Sequence, residues 1–579
     1  MRSYGKLLIL LLVLTAYLRA APIHPVHGAH AMVASEHALA SAAGVEILKA
    51  GGNAVDAAVA IGFALAVVNP QAGNLGGGGF MLIRFADGTT KFLDYRESAP
   101  AAATANMFLD AKGDVIPGAS TYGYKSVAIP SSVAGLTYAK KKYGKLPLAQ
   151  VVAPAIKLAR DGYPLAWEDE DAFNNQRLAE YPESHRIFQR NGNFYRQGEI
   201  FRQPELARTL ERIAADPDDF YHGSMARELA AAIQKGGGII TADDLAHYEV
   251  KEREPIRGTY RGYEVISAPP PSSGGITLVE ILNILEGYNL SQLGNRTARS
   301  MHLTIEAFRR GFFDRAELLG DPDFSKVPIA PLIDKKYAAA WRDTIDPAHA
   351  TPSQDLRRPA KFGDLDTYAS TQVQPIREFH HTTHYSVVDA EGNAVSATTT
   401  LNDDFGSHVT VEGLGFLLND EMDDFASKPG VPNGFGLIQG PANAIGPGKR
   451  PLSAMAPTIV TKDGKLSMVL GSRGGPHIIT SVANTLMGVV DYGMDIQQSV
   501  NAPRFHHQWL PDQVEVEAGF SLDTVALLRQ MGHQVRFGTI EIGDYLPDWS
   551  DGECIMIDAK TGERLGATDI RNNGKAMGY

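Results

Sequence analysis

Cysteine and basic clusters are the two features that this 579-residue sequence most clearly lacks. Cys554 is the single cysteine, so no intrachain disulfide can form and a hydrophobic core must hold the fold together, as a chain of this length allows. The net charge is −12, from 54 Lys and Arg against 66 Asp and Glu, and no long basic block occurs. A phosphate-binding surface needs clustered cations. The composition therefore argues against nucleic acid as a partner.

Long apolar runs are also missing, since no stretch reaches the roughly 18 uncharged apolar residues needed to cross a bilayer. The most apolar segment lies at the N-terminus, where Arg2 and Lys6 precede an apolar run at 7–14 and small residues that end at Ala21. This order is typical of a secretory signal peptide. We predict that residues 1–21 are removed and that the protein is exported, periplasmic or secreted, without stable membrane insertion. An uncleaved membrane anchor is the alternative.

Sequence signatures of several other enzyme classes are absent. No G-x-S-x-G elbow and no H-E-x-x-H or C-x-x-C spacing occurs. The glycines at 76–79 precede a strand and lack the dinucleotide-binding spacing, and the segment 446–449 lacks the first glycine of a phosphate loop. The histidines that invite a metal site are His380, His381, His384, His506 and His507. Without metal-ligand spacing, we interpret them as solvated or internally hydrogen-bonded, and we predict no cofactor and no metal.

The elements that are present indicate an α+β protein. Helical patterns cover 34–49 and 54–68, with Asn53 as the cap of the second helix. The middle of the chain, about 146–340, is mainly helical by pattern, whereas antiparallel hairpins dominate after Thr383. Helices early and hairpins late favour sheets covered by helices on their outer faces.

One hairpin begins with a pair of threonines. The segment 382–389 alternates as a strand, Glu391-Gly392-Asn393 supplies the turn, and a Thr-rich strand returns at 394–401. Taken alone, two threonines at a strand start express ordinary β-propensity. Their meaning changes once other segments are compared with them.

Blocks along nearly the whole mature chain resemble those of the γ-glutamyltransferase family, also called γ-glutamyltranspeptidase. The hairpin carries T-T-H-Y-S-V-V-D from Thr382 and T-T-T-L-N from Thr398. The other blocks, in family order, are 51–58, 76–80, 94–97, 270–275, 422–425, 449–453, 471–475 and 501–506. The resemblance implies a four-layer αββα sandwich of the N-terminal-nucleophile hydrolase type, formed jointly by two subunits from one precursor.

The resemblance also implies that the precursor cuts itself between His381 and Thr382. A large subunit, 22–381, and a small one, 382–579, would then remain associated as a heterodimer. Cleavage creates an α-amine on Thr382 with a reference pKa of about 7.7–8.0. Such an amine can accept the proton of the hydroxyl beside it, which an amide nitrogen cannot. Processing therefore generates the general base.

The remaining site residues follow from the same resemblance. Thr400 would hydrogen-bond to the nucleophile Thr382, while Gly474 and Gly475 would bind the oxyanion. The residues implied to hold the glutamate α-carboxylate and α-ammonium are Arg96, Ser453, Asn402, Glu421 and Asp424. Taken alone, Arg96 reads as a surface ion pair. The implied activity is cleavage of glutathione and other γ-glutamyl compounds, with transfer to water, amino acids or peptides.

Three departures from the family pattern bear on specificity. Ala454 stands where a second serine is usual, so one hydroxyl contact to the carboxylate is missing. Asp403-Asp404 follows Asn402 where small uncharged residues are common, and their charge would repel an anionic substrate unless the side chains point elsewhere. Phe435 occupies the place of a lid tyrosine. A glutaryl or cephalosporin acylase and a processed but inactive binding protein are therefore the alternatives.

Overall fold

The computed structural model describes residues 24–359, 382–537 and 550–579. The predicted signal segment, His380 and His381 lie outside these ranges. The strands are β1 (Val26–Gly28), β2 (Met32–Ser35), β3 (Gly78–Arg84), β4 (Thr90–Tyr95), β5 (Tyr163–Pro164), β6 (Ile200–Phe201), β7 (Lys251–Arg253), β8 (Ile256–Tyr260), β9 (Tyr263–Ser267), β10 (Thr382–Val388), β11 (Ala394–Thr400), β12 (Thr458–Lys462), β13 (Lys465–Leu470), β14 (Phe505–His506), β15 (Val514–Val516), β16 (Val535–Phe537), β17 (Glu553–Ile557), β18 (Arg564–Thr568) and β19 (Lys575–Gly578).

The helices vary in length from one turn to the 21 residues of α12. They are α1 (Ala38–Lys49), α2 (Ala54–Val68), α3 (Ser132–Tyr143), α4 (Leu148–Asp161), α5 (Trp167–Phe173), α6 (Pro182–Gln189), α7 (Pro204–Ala215), α8 (Ser224–Lys235), α9 (Ala242–Ala246), α10 (Gly274–Leu285), α11 (Leu290–Leu293), α12 (Ala298–Leu318), α13 (Ile329–Leu332), α14 (Lys335–Arg342), α15 (His477–Val490), α16 (Ile496–Asn501) and α17 (Leu522–Gln530). None of these described helices combines the length and the apolar content needed to cross a bilayer.

Two seven-stranded sheets form the centre of the molecule. Their strand orders are β1-β18-β17-β13-β12-β9-β8 and β19-β2-β10-β11-β3-β4-β7. Each sheet takes strands from both sides of the predicted cleavage point before Thr382. Both predicted subunits would therefore share both sheets, which explains how they could remain associated after cleavage.

The two sheets lie face to face, and helices cover their outer sides. On β3, Phe80 and Leu82 belong to a hydrophobic core that they share with residues of the other sheet. Met81 and Ile83 belong to a second core, which they share with α2. Alternate residues of a strand point to opposite faces, so both faces of this sheet are buried. The helices α10 and α15 share the first core with the other sheet. The architecture is the predicted four-layer αββα sandwich.

Hydrogen bonds between the two sheets, in addition to apolar packing, fix the spacing of the sheets. The hydroxyl of Ser386 on β10 donates to the carbonyl of Glu553 on β17 at 2.7 Å. On the neighbouring strand, the hydroxyl of Ser396 donates to the carbonyl of Leu470 on β13 at 2.9 Å. Because buried hydroxyls need partners, these bonds favour a single relative position of β10 and β11.

Local sequence signals predicted the start of α2 but not the start of α1. Asn53 caps α2 through the amides of Val55 and Asp56, as predicted. The predicted helix 34–49 is wrong at its start, because Ala34 lies in β2 and pairs with both β10 and β19, and α1 begins only at Ala38. Alanine tolerates either conformation, so tertiary pairing decides.

The middle of the chain is mainly helical, as predicted, but it also contributes strands. Five strands, β5 to β9, lie within this stretch, and three of them, β7, β8 and β9, belong to the two large sheets. The strand β9 pairs with β12, and β7 pairs with β4. These strands complete the edges of the two large sheets, which is a long-range role that local pattern did not reveal.

The four glycines at 76–79 serve close packing of the backbone. A Cβ on Gly77 would lie 2.0 Å from the carbonyl oxygen of Thr400, and one on Gly79 would lie 2.4 Å from that of Thr398. Such distances are far below van der Waals contact, so only glycine fits. The glycines therefore seat β11 against the start of β3, and they do not form a nucleotide-binding loop.

Candidate active site

Thr382 is the first residue of β10, and Thr400 is the last residue of β11. The two residues face each other in the antiparallel register, and their hydroxyl oxygens are 3.2 Å apart. The hydroxyl of Thr400 also accepts the backbone N–H of Asn402 at 2.9 Å. The hairpin thus places two hydroxyl groups and the Asn402 side chain at one end of the sheet, as the sequence predicted.

A glycine pair lies next to this end of the sheet. Gly474 and Gly475 have φ angles of 119° and 52°, a region that favours glycine because other residues are strained there. The preceding Arg473 anchors the loop through ion pairs with Asp551 and, at 3.0 Å, with Glu36. Gly475 lines the pocket that contains Thr382. The loop is therefore held close to the hydroxyl pair.

Arg96 follows β4 directly and is fully buried, which rules out the surface ion pair that the residue would suggest in isolation. Its guanidinium forms ion pairs with Glu421 and Asp424. These two acids occupy one 3₁₀ turn, Glu421–Asp424, and i, i+3 side chains in such a turn lie on the same side. Arg96 also donates through Nε to the carbonyl of Pro451 at 3.2 Å. This bond ties it to the segment that carries Ser453.

The charged groups around Arg96 shift one another's pKa values. Burial opposes its charge, but Glu421, Asp424 and Glu97 outweigh that effect and hold the pKa of Arg96 above its ordinary value. Burial raises the pKa of Glu421 well above its usual range, against the lowering effect of Arg96. Burial likewise raises the pKa of Glu97 to about 7. A buried cation beside several carboxyl groups is complementary to an α-amino acid group, which carries a carboxylate and an ammonium.

One pocket joins these groups. Its lining includes Arg96, Arg315, Thr382, Thr400, Asn402, Glu421, Asp424, Phe435, Ser453, Ala454 and Gly475. The structure thus brings together the predicted site residues, with two exceptions. Gly474 is adjacent to the lining residue Gly475, and His381 lies outside the described residues. The roles of these residues stay predictions, whereas their proximity is a property of the fold.

Asp403 and Asp404, which follow Asn402, are not among the residues that line this pocket. Asp403 accepts the backbone N–H of Asp404 at 2.8 Å and lines a neighbouring cavity of about 490 Å³ instead. Asn402 and Phe435 line both spaces, so they form the partition between them. The repulsion that a carboxylate facing an anionic substrate would cause is therefore avoided.

The described histidines of the sequence analysis have partners within the protein. His384 contacts the hydroxyls of Thr398, at 2.8 Å, and Ser386, at 3.2 Å, and burial lowers its pKa to about 3. His506 contacts Thr480 at 2.9 Å, and His507 contacts Asp512 at 3.2 Å. These contacts account for their ring nitrogens without a metal. Lys449, in the segment that resembles a phosphate loop, donates to carbonyls of its own loop.

A different group, His302, Glu306 and His533, is close enough to hold a metal ion. Glu306 is, however, paired with Arg309 at 3.2 Å and with Arg310 at 2.6 Å. Two adjacent guanidinium groups oppose a second cation. The two imidazoles contact each other at 2.8 Å, and Glu306 already has two cationic partners within the protein.

Sequence reasoning missed two charged residues near the pocket. Glu97 is fully buried beside Arg96, and its adjacency in the D-Y-R-E motif was a usable signal. Arg315 lies on the buried helix α12 and carried no such signal, because it is more than 60 residues from every predicted site residue in the chain. Only the packing of α12 brings it to the pocket.

Comparison with known proteins identifies the family. The gamma-glutamyltranspeptidase family model matches residues 40–579. The glutathione hydrolase proenzyme of Pseudomonas sp. (strain A14) is 49% identical over 567 residues, which cover 96% of this chain and 95% of that protein. The glutathione hydrolase proenzyme of Escherichia coli (strain K12) is 50% identical over 554 residues, covering 95% and 92%.

A solved structure supports the fold independently. Cephalosporin acylase from Bacillus halodurans has a TM-score of 0.83 to this chain at 29% identity, covering 97% of this chain and 98% of that one. The predicted fold class, an αββα sandwich of the N-terminal-nucleophile hydrolase type, is thereby confirmed. Together with the family match, these similarities show that the chain belongs to the gamma-glutamyltranspeptidase family.

Proposed function

We propose that this protein is an autoprocessing γ-glutamyltransferase and glutathione hydrolase. The observation that carries the proposal is the pocket itself, which joins the Thr382–Thr400 hydroxyl pair, 3.2 Å apart, to the buried ion-pair cluster of Arg96. A nucleophile at one end and an α-amino acid subsite at the other match a γ-glutamyl amide. The relatives named glutathione hydrolase proenzyme support the same activity.

Self-cleavage before Thr382 is the first step of the proposed mechanism. It leaves Thr382 with a free α-amine beside its own hydroxyl. The neutral amine takes the hydroxyl proton while Oγ1 attacks the γ-carbonyl carbon of the substrate. The carbonyl oxygen becomes an oxyanion, which the backbone N–H groups of Gly474 and Gly475 stabilise. No metal or organic cofactor enters this scheme.

The second half of the mechanism regenerates the enzyme. The tetrahedral intermediate collapses, the C–N bond breaks, and the leaving amine takes the proton from the Thr382 ammonium. The γ-glutamyl ester on Thr382 is then attacked by water, which releases glutamate, or by the amine of an amino acid or peptide, which forms a new γ-glutamyl amide. In both cases the α-amine accepts the proton of the attacking group and passes it to Oγ1 of Thr382 as the ester C–O bond breaks, which restores the threonine hydroxyl and the neutral amine.

Recognition of the substrate rests on charge complementarity. We assign the α-carboxylate to Arg96 and Ser453, and the α-ammonium to Asn402, Glu421 and Asp424. A guanidinium can bind a carboxylate through two parallel hydrogen bonds. Glu421 and Asp424 are ion-paired with Arg96 before the substrate binds. For the carboxylate to reach Arg96, these acids must form ion pairs with the incoming ammonium instead. The carboxylate and ammonium of the substrate would thus replace ion pairs that Arg96 forms with Glu421 and Asp424 in the pocket.

Export and subunit association complete the proposal. The charge pattern of residues 1–21 supports a signal peptide and a periplasmic or secreted protein. The mixed strand order of both sheets supports a stable heterodimer of 22–381 and 382–579. Intact-mass measurement of the mature protein tests signal removal and cleavage before Thr382, because it reports both new termini, and co-elution of the two chains in size-exclusion chromatography tests their association.

The hydroxyl of Thr400 provides a first test of the mechanism. Replacement of Thr400 by valine keeps the shape but removes the contact to Thr382 and the acceptor of the Asn402 N–H. Because each lost hydrogen bond is worth about 1 kcal/mol and a buried donor left unpaired costs about 1–3 kcal/mol, we expect kcat to fall about tenfold or more. The matched control is Thr399→Val, whose hydroxyl donates to the Gly78 carbonyl at 2.7 Å. Equal kcat losses in both variants would contradict the role of Thr400.

The choice of substrate separates this function from the acylase alternative. Ala454 and the similarity to a cephalosporin acylase favour that alternative, whereas Glu421 and Asp424 oppose it. A glutaryl group keeps a carboxylate but has no ammonium, so it would draw Arg96 away from Glu421 and Asp424 without supplying a replacement positive charge. Since such losses cost about 2–5 kcal/mol, we expect kcat/KM for γ-glutamyl-p-nitroanilide to exceed that for glutaryl-p-nitroanilide at least about 30-fold. Equal values would favour an acylase, and no turnover of either would favour the inactive binding protein.

A further inference from the structure

Arg315 is a buried arginine at the pocket with an unused hydrogen-bond donor. It lies on α12, is 1% exposed, and lines the same pocket as Thr382, Ser453 and Ala454. Its Nη1 has no hydrogen-bond partner among the described residues. Buried polar groups are nearly always hydrogen-bonded. An unsatisfied guanidinium nitrogen at a pocket wall therefore indicates an anion or acceptor that binds there.

The rest of the Arg315 side chain is held firmly at one side of the pocket. Its Nε donates to the hydroxyl of Ser273 at 2.9 Å. That hydroxyl donates in turn to the carbonyl of Ser453 at 2.6 Å, and the backbone N–H of Ser273 donates to the same carbonyl at 2.8 Å. Ser273 thus couples Arg315 to the Ser453–Ala454 segment, where the family pattern has a second serine and this chain has a methyl group.

The charge of Arg315 suits an anionic group. Burial lowers its pKa to about 10, against the opposing effect of Asp424, so the guanidinium stays charged at neutral pH. The carboxyl groups nearest to the pocket cation Arg96 are Glu97, Glu421 and Asp424. A second cation limits the negative potential that these acids would otherwise present to a substrate carboxylate.

We propose that Arg315 is a specificity-determining residue, whose Nη1 donates a hydrogen bond to the α-carboxylate of the γ-glutamyl group in place of the hydroxyl that Ala454 lacks. The inference rests on the proposed function, because it requires that the α-amino acid group bind in this pocket. It adds a second guanidinium contact to the carboxylate bound by Arg96. The carboxylate would then be bound by two arginines, Arg96 and Arg315, together with Ser453.

The first experiment removes the donor and changes the substrate. Arg315→Met should lower kcat/KM for γ-glutamyl-p-nitroanilide about 10- to 100-fold, as expected for a hydrogen bond to a charged group. The same variant should change kcat/KM for 4-aminobutyryl-p-nitroanilide, which keeps the ammonium but lacks the carboxylate, less than about threefold. An equal loss with both substrates would overturn the inference and leave Arg315 as a structural residue.

A double-mutant cycle gives a second measurement that uses γ-glutamyl-p-nitroanilide alone. Ala454→Ser restores a hydroxyl at the same side of the pocket. If both groups serve one carboxylate, Arg315→Met should cost clearly less in the Ala454→Ser background than in the native one. Additive losses within about twofold would contradict a shared carboxylate. Should Arg315→Met fail to fold, Arg315→Lys carries both measurements, with a smaller loss expected because charge is retained.

A neighbouring arginine on the same helix is the matched control. Arg309 is also 1% exposed, but it pairs with Glu306 and Asp512, away from the pocket. Arg309→Met should lower thermal stability while leaving the ratio of the two substrates unchanged. Native enzyme that hydrolyses neither substrate would refute the proposed function itself. If the native enzyme is active but Arg315→Met lowers kcat/KM equally for both substrates, only this inference would be refuted.

Discussion

Thr382→Ala will produce a single uncut chain with hydrolytic activity at least about 10⁴-fold below that of the native enzyme, as for other nucleophile deletions. Alanine lacks the hydroxyl that attacks the substrate, and without self-cleavage its nitrogen remains an amide with no useful basicity. Denaturing gel electrophoresis and intact mass report the cleavage, and release of p-nitroaniline from γ-glutamyl-p-nitroanilide reports the activity.

The adjacent threonine is the control for this prediction. Thr383 is fully buried, and its hydroxyl has no hydrogen-bond partner in the described part of the chain. Because alternate strand residues face opposite sides of the sheet, Thr383 points away from the pocket of Thr382. Thr383→Ala should therefore be cut at the same bond and remain active. Two subunits from Thr382→Ala, or an uncut Thr383→Ala, would show that the cleavage point is misassigned.

The second large effect concerns Arg96. In Arg96→Met the acids Glu421 and Asp424 stay buried without their cation, which costs about 3–5 kcal/mol of folding free energy. The substrate carboxylate also loses its guanidinium partner, so kcat/KM for γ-glutamyl-p-nitroanilide should fall about 10²–10³-fold. Urea denaturation and steady-state kinetics measure the two effects separately. Arg96→Lys, which keeps the charge but not the planar fork, should be milder in both.

The stability loss of Arg96→Met should depend on pH. Burial already raises the pKa of Glu421, and Arg96 opposes this rise, so its removal raises that pKa further. A carboxyl group with a raised pKa in the folded state binds a proton that the unfolded chain, with a pKa near 4.3, has released. Stability is therefore lost as pH increases from about 4.3 through the folded pKa. The deficit should be larger at pH 8 than at pH 5.5.

An exposed arginine–glutamate ion pair provides the control for Arg96. Arg160 pairs with Glu211, and their side chains are 60% and 43% exposed. Surface pairs contribute about 0–1 kcal/mol, so Arg160→Met should change the unfolding free energy little and leave activity intact. If Arg96→Met behaved like Arg160→Met in stability and kinetics, the buried cluster would have neither role assigned to it.

Local sequence predicted the hairpin that carries Thr382 and Thr400. The turn at Glu391-Gly392-Asn393 and the alternation on either side indicate the register in which Thr382 faces Thr400. The cap at Asn53 is local in the same sense, because its partners lie two and three residues away. The ordered family blocks added the fold and the candidate site. These features were predictable because each depends on residues that are close in the chain or on a whole recognisable motif.

Tertiary structure decided the environment of the charged groups. Arg96 and Asp424 are separated by 328 positions in the chain. Only the folded chain brings them together in a buried ion pair at the pocket, which neither residue indicates in isolation. The fold likewise turned Asp403 towards the neighbouring cavity and carried Arg315 to the pocket wall. Sequence specifies which groups are present, whereas the strength of their interactions depends on distance and on exclusion of water. Both of those quantities are properties of the packed molecule.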